Sequence, residues 1–271
     1  MISHKANGAP TKVCTGGSTG INADPPAQPL LLPGPINFVS HSNIGLLTEL
    51  LLDAHLIGID TETKPSFQKG QYNRTSILQL AIRTISGAES TVIVDLINFG
   101  GDAKLRDLND VLTSVMLSST VIKIGQGLAV DFKEVYVAYP SLSVLKAVNG
   151  VIEINWIYRH LYPEIKQDVS LKKLALSVLK CNLSKKQQCS NWNMRPLSTL
   201  QSEYAVRDAL ILIRLFDVLT DLAFGRGGFI LESLLGRAVE GKSVTRASEM
   251  LDIPKVQSCP PKQLKGAEFW K

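Results

Sequence analysis

The feature that most constrains this chain is a short apolar run that ends on acid. Leu56-Ile57-Gly58-Ile59 is uncharged and rich in β-branched residues, which predicts a short buried strand. It leads directly into Asp60-Thr61-Glu62. Residues two apart on a strand share a face, so both carboxylates converge on one spot, with their Cα atoms about 7 Å apart. Two like charges at the end of an apolar strand are costly unless a cation lies between them. A hard divalent ion with oxygen ligands, Mg²⁺ or Mn²⁺, is the natural partner. The pair has a plainer alternative, in which Asp60 caps a loop and Glu62 is solvated.

The pattern around this strand predicts an α/β fold. Residues 42–54 carry Ile44, Leu47, Leu50 and Leu51 at helical spacing. Residues 76–85 and 91–96 read as two further strands linked through Gly87, which makes a meander with the first. A helix over 102–117, a strand over 120–124, a helix over 129–138 and a strand-like 151–154 follow. Beyond them the pattern is helical, over 170–179 and then 200–222, where Tyr204, Leu212, Leu215 and Leu219 recur. Strands first and alternating units later predict a mixed β-sheet flanked by α-helices. Residues 1–35 read as a flexible arm poor in charge, 36–225 as the folded domain, and 226–271 as an extension with short helices at 228–239 and 245–251 before a tail.

Two more acidic positions stand out. Tyr204 and Asp208 are four apart on the last helix, which puts a phenol beside a carboxylate, where the pair would orient a water next to a metal. The same spacing also arises by chance in many helices. Asp131 follows the strand and turn Lys123-Ile124-Gly125-Gln126-Gly127 and sits in the first turns of a helix, where the helix dipole favours an acid; a capping role is its alternative.

Taken in order, Asp60-Thr61-Glu62, Asp131 and Tyr204-x-x-x-Asp208 resemble the three motifs of the DEDDy 3′-5′ exonucleases of the DnaQ-like, ribonuclease H-like superfamily. Ser170-Leu171-Lys172-Lys173-Leu174, Gln188-Cys189-Ser190-Asn191-Trp192 and Arg195-Pro196-Leu197 are similar to the ribonuclease D branch, nearest to mutator-type exonucleases and then to the exonuclease domain of the Werner helicase. The resemblance spans residues 36–222. Glu153 departs from it, standing where relatives often carry Asp, and the Gly125-Gln126-Gly127 turn differs from the proofreading polymerases. The resemblance implies a ribonuclease H-like fold and a hydrolase that releases nucleoside 5′-monophosphates from the 3′ end of RNA or single-stranded DNA with two divalent ions. It implies that Asp60 is shared by both ions, that Glu62 and Asp208 complete the first site, that Asp131 supports the second, and that Tyr204 orients the attacking water. A catalytically weak or inactive nucleic-acid-binding pseudo-exonuclease is the alternative, and relatives of that kind usually lack one of the acids retained here.

Composition agrees with a nucleic-acid partner without demanding one. The net charge is +5 and the pI about 9.0. Candidate substrate contacts are Thr61 and Thr63 beside Glu62, Lys64, Lys69 and Arg74 in the loop after the first strand, and Lys185, Lys186 and Arg195 in the loop before the last helix. A solvated surface is the plain alternative for each of the basic residues. Trp192 suits base stacking or, in a loop of this kind, packing. The 45% apolar content supports a sizeable core, and no run is long enough to span a bilayer, so a soluble protein with no membrane association is expected. Cys14, Cys181, Cys189 and Cys259 form no CxxC pair, and His4, His41, His55 and His160 form no zinc motif; the pattern suits a reducing, intracellular compartment, nuclear or cytoplasmic.

Overall fold

A computed structural model describes residues 30–66 and 73–225. Among the described residues, six strands make one mixed sheet: β1 (Ile36–Val39), β2 (Ala54–Thr63), β3 (Thr75–Thr84), β4 (Glu89–Asp95), β5 (Ile122–Gly125) and β6 (Val151–Glu153), in the spatial order β1-β4-β3-β2-β5-β6. Strands β2, β3 and β4 form the antiparallel meander, while β1 joins β4, β5 joins β2 and β6 joins β5 in parallel. The helices are α1 (Ile44–Leu51), α2 (Asp102–Met116), α3 (Leu128–Ala138), α4 (Ile154–Leu161), α5 (Leu171–Leu179) and α6 (Thr199–Gly225).

The central strands are apolar on both faces because helices cover both. On one face Ile57, Ile59, Leu78, Leu80, Ile82, Val92 and Val94 pack with Leu47 of α1, Leu105, Leu108 and Leu112 of α2 and Phe132 of α3. On the other, Leu56, Ala81, Ile122, Ile124 and Ile152 meet Leu174 of α5 and Ala209, Leu210 and Ile213 of α6. Leu30 and Leu32, at the start of the described chain, pack on this second core, as partly buried neighbours.

Helix α6 crosses β2 with backbone against backbone. A Cβ on Gly58 would stand 2.2 Å from the Ala209 carbonyl oxygen, so only glycine admits the crossing. Ion pairs fix the register of α6 on the sheet. The Arg83 guanidinium donates to both oxygens of Asp217 at 2.6 Å and through Nε to Glu89 at 2.9 Å, and Arg214 donates in turn to Glu89. Arg214, beside this junction, lies six residues beyond Asp208, so the network also sets where that carboxylate stands. At the other edge of β2, fully buried Lys123 donates to the carbonyls of Val115, Ser118 and Val121 at 2.9, 2.7 and 2.6 Å, tying the end of α2 to β5.

Several elements differ from expectation. β2 runs on to Thr63 because Asp60, Thr61 and Glu62 still pair with Gln79, Leu78 and Ile77 of β3. The first helix is one turn shorter than expected at its end, since Ala54 already belongs to β2, and a 3-10 turn (His41–Asn43) precedes it. β1 and α4 were not anticipated as elements. The helices expected at 228–239 and 245–251 lie outside the described residues, as does Lys69.

Candidate active site

Strand β2 and helix α6 bring the acids together. Asp60 and Glu62 point from the same face of β2 toward α6, and the helix places Tyr204 and Asp208 one turn apart over them. One carboxylate oxygen from each of Asp60, Glu62 and Asp208 lies within 4.8 Å of the others. Glu62 is buried, and Asp60 and Asp208 are largely shielded. Burial, and then the charges of Asp208 and Asp131, push the Asp60 carboxyl well above the usual carboxylate range. Burial likewise raises Asp208, against a hydrogen bond from Tyr204 and the charge of Lys185. Burial makes these acids costly as anions, and the charge of Lys185 partly offsets that cost at Asp208.

Tyr204 donates its hydroxyl hydrogen to Asp208. Burial and then the charges of Asp208, Glu62 and Asp60 raise the phenol far above its ordinary value, so it remains a donor and is not a base. Its ring lies 6.0 Å from that of Trp192, which is fully buried against Ile77, Ile93, Ala205 and Val206. Trp192 therefore packs the loop and does not stack on a base.

Asp131 lies in the first turn of α3, outside the trio, yet its charge reaches Asp60. The turn that carries it begins at Gly127, whose φ of +85° is a left-handed conformation suited to glycine. Glu153 reaches this turn from the end of β6: its carboxylate accepts from the Gly127 and Leu128 amides at 2.6 and 2.8 Å.

The basic candidates separate. Lys185 is exposed and its charge acts on Asp208, so it stands beside the acids. Lys186 is exposed, and Arg74 lies with its guanidinium 5.9 Å from the Tyr139 ring centre. Lys64 is half-buried, and its carbonyl accepts from Asn73 at 2.9 Å. Thr61 and Thr63 alternate with the acids along β2, and the Thr61 amide donates to Asp60. Arg195 is a correction. All five of its N–H groups are engaged, on both oxygens of Asp95 at 2.6 and 2.7 Å and on the carbonyls of Trp192, Met194 and Ser76, so it anchors the loop and is not free for a phosphate. The sequence reading passed over Gly58, whose close approach to α6 leaves no periodic signal, and Gln79, a fully buried amide on β3 directly opposite Asp60.

The donor set suits a hard divalent ion. Mg²⁺ takes oxygens at about 2.0–2.1 Å, so ligands across it are about 4.2 Å apart. Neighbouring ligands of such an octahedron are about 2.9 Å apart, so oxygens within 4.8 Å of one another must draw in to share an ion, and a cation offsets both the burial and the like charges that raise Asp60.

Residues 43–223 match the family model described as 3′-5′ exonuclease. The chain is 30% identical over 207 residues to exonuclease 3′-5′ domain-containing protein 2 of Mus musculus, covering 75% of this chain and 30% of that protein. The curated relatives it matches are all longer, and it spans between 20% and 40% of their length. The fold is shared with the Nibbler EXO domain of Aedes aegypti, at a TM-score of 0.61 and 24% identity over 74% of this chain and 95% of that one. It is shared also with Trypanosoma brucei RNase D in complex with RNA U12, at a TM-score of 0.57 and 18% identity over 77% of this chain and 72% of that one.

Proposed function

Because the chain belongs to the 3′-5′ exonuclease family, we propose that it hydrolyses RNA or single-stranded DNA from the 3′ end to nucleoside 5′-monophosphates, using two divalent ions, Mg²⁺ or Mn²⁺. The observation that carries the reading is the convergence of Asp60, Glu62 and Asp208 within 4.8 Å in a shielded site where like charges repel. Asp60, Glu62 and Asp208 would hold one ion, and Asp60 with Asp131 would hold the other. Divalent ions bound there supply Lewis-acid activation of a water and neutralise charge on the departing 3′ oxygen.

The chain's own groups do the rest. Tyr204, its single hydroxyl hydrogen committed to Asp208, orients the attacking water by accepting a hydrogen bond on its oxygen and does not take the proton. Asp208 fixes the Tyr204 hydroxyl by accepting from it. Lys185 stands beside Asp208 and offers positive charge to the scissile phosphate, while Lys186, Lys64 and Arg74 attract the strand farther out. Thr61 and Thr63 lie at the end of β2, where backbone and hydroxyl groups meet the terminal nucleotide. The Trypanosoma brucei RNase D that shares this fold is in complex with RNA, which supports a nucleic-acid partner for this chain.

The test is a 5′-end-labelled strand, offered as matched RNA and DNA, incubated with the protein and Mn²⁺. The proposal expects a ladder shortening from the 3′ end, with no shortening for Asp60→Ala or Asp208→Ala. Equal activity in a protein carrying both changes would overturn it.

A further inference from the structure

Glu153 is a half-buried carboxylate that the proposed chemistry does not use. It stands at the junction of β6 and α4, in the N-cap position of α4, and its side chain makes no capping hydrogen bond there. Its carboxylate turns instead to the neighbouring helix. Oε2 accepts from the Gly127 amide at 2.6 Å and Oε1 from the Leu128 amide at 2.8 Å, and the Ala129 amide adds a third donor. The backbone of Glu153 is pinned by pairing with Gly125 across β5 and β6, so the carboxylate is delivered from a rigid edge. Gly127 provides no side-chain cap of its own, and Glu153 closes the start of α3 from 26 positions away.

The same turn carries Asp131. The Gly127 carbonyl accepts from the Asp131 amide at 3.3 Å and from the Val130 amide at 2.9 Å. A continuous hydrogen-bonded path therefore runs from Glu153 through the Gly127 peptide to the backbone of Asp131. The body of α3 docks independently, through buried Leu128, Phe132 and Val135. What Glu153 adds is the position of the first turn.

We propose that Glu153 is a positioning residue for the second metal ion: by holding the first turn of α3 it sets where Asp131 stands relative to Asp60. This rests on the two-ion reading above. Its effect is selective, because β2 and α6 carry Asp60, Glu62 and Asp208, and the turn that Glu153 holds carries Asp131 alone.

The experiment titrates Mn²⁺ into the full chain by calorimetry for the wild type, Glu153→Gln, Glu153→Asp and Asp131→Asn, with a thermal melt of each. Glu153→Gln keeps the shape but presents an amide group to backbone donors. It is expected to leave the tighter ion unchanged and to weaken the second by about 10- to 100-fold, the usual cost of losing a group that orients a ligand. Asp131→Asn should weaken that same ion, and Glu153→Asp should do so to a smaller degree. Unchanged binding in Glu153→Gln, or equal weakening of both ions, would overturn the role of Glu153 while leaving the exonuclease reading intact. Failure of both Glu153 variants to fold would make the residue a support of the whole fold and overturn its selectivity. A wild type that binds no Mn²⁺ would remove the two-ion reading and this inference with it.

Discussion

Replacing Gly58 with alanine tests whether the crossing of β2 and α6 sets the geometry of the site. The added methyl would lie 2.2 Å from the Ala209 carbonyl oxygen and 3.2 Å from its carbonyl carbon, and ordinary contact begins at 3.4 Å. Relief requires about 1.2 Å of separation between strand and helix at this point. Backbone meets backbone there, so no flexible side chain can yield in its place. Ala209 is the neighbour of Asp208, whereas Asp60 lies two residues from Gly58, so the shift falls on the spacing between the two carboxylates. Overpacking of this kind costs about 1–3 kcal/mol, which for a domain of this size lowers Tm by about 2–12 °C. A displacement of about 1 Å at a catalytic site costs about 100-fold in rate. The expected result is a folded protein with a lower Tm, a weaker grip on Mn²⁺ and about 100-fold slower shortening of a labelled strand. A Gly58→Ala protein with wild-type melting and wild-type rate would refute the claim that this contact fixes the site.

Three further outcomes follow from the site and its supports. Tyr204→Phe removes the donor to Asp208 and the water-orienting group but no ligand, so kcat should fall by about 10- to 100-fold, the worth of one hydrogen bond to a charged group, while calorimetry finds Mn²⁺ affinity unchanged. In chelator, the raised carboxyls of Asp60 and Asp208 give the folded state extra protons; that stability is complete below the ordinary carboxylate value and is lost as pH rises through the raised values, so melts between about pH 4 and 8 should show a falling Tm that Mn²⁺ restores and Asp60→Asn flattens. Lys123→Met leaves the carbonyls of Val115, Ser118 and Val121 without their shared donor and should cost about 1–3 kcal/mol in urea denaturation.

The elements legible in the sequence were those with a strong pattern of their own. The apolar run before Asp60 is a strand in the structure, and the long recurrence after residue 199 is a helix, because each buries its apolar residues against a neighbour. α4 was not anticipated, since Ile154, Ile157 and Leu161 follow β6 without a turn and span barely two helical turns. The strand geometry assumed for Asp60 and Glu62 holds because both pair with β3, while the run on to Thr63 has no apolar alternation to announce it. At the site, residue spacing anticipated that Asp60 and Glu62 share a face and that Tyr204 meets Asp208. Arg195 could not be read correctly, because its partner Asp95 lies 100 positions earlier and only the fold brings the two together. Glu153 was hidden in the same way, since the helix it caps is not its own.

Crystals grown with Mn²⁺ and read by anomalous scattering test the central claim most directly. The account predicts one strong peak among the carboxylate oxygens of Asp60, Glu62 and Asp208 and a second about 3.5–4 Å away on the Asp131 side, with Asp60 touching both. Crystals in saturating Mn²⁺ with no ion in contact with Asp60 would contradict it.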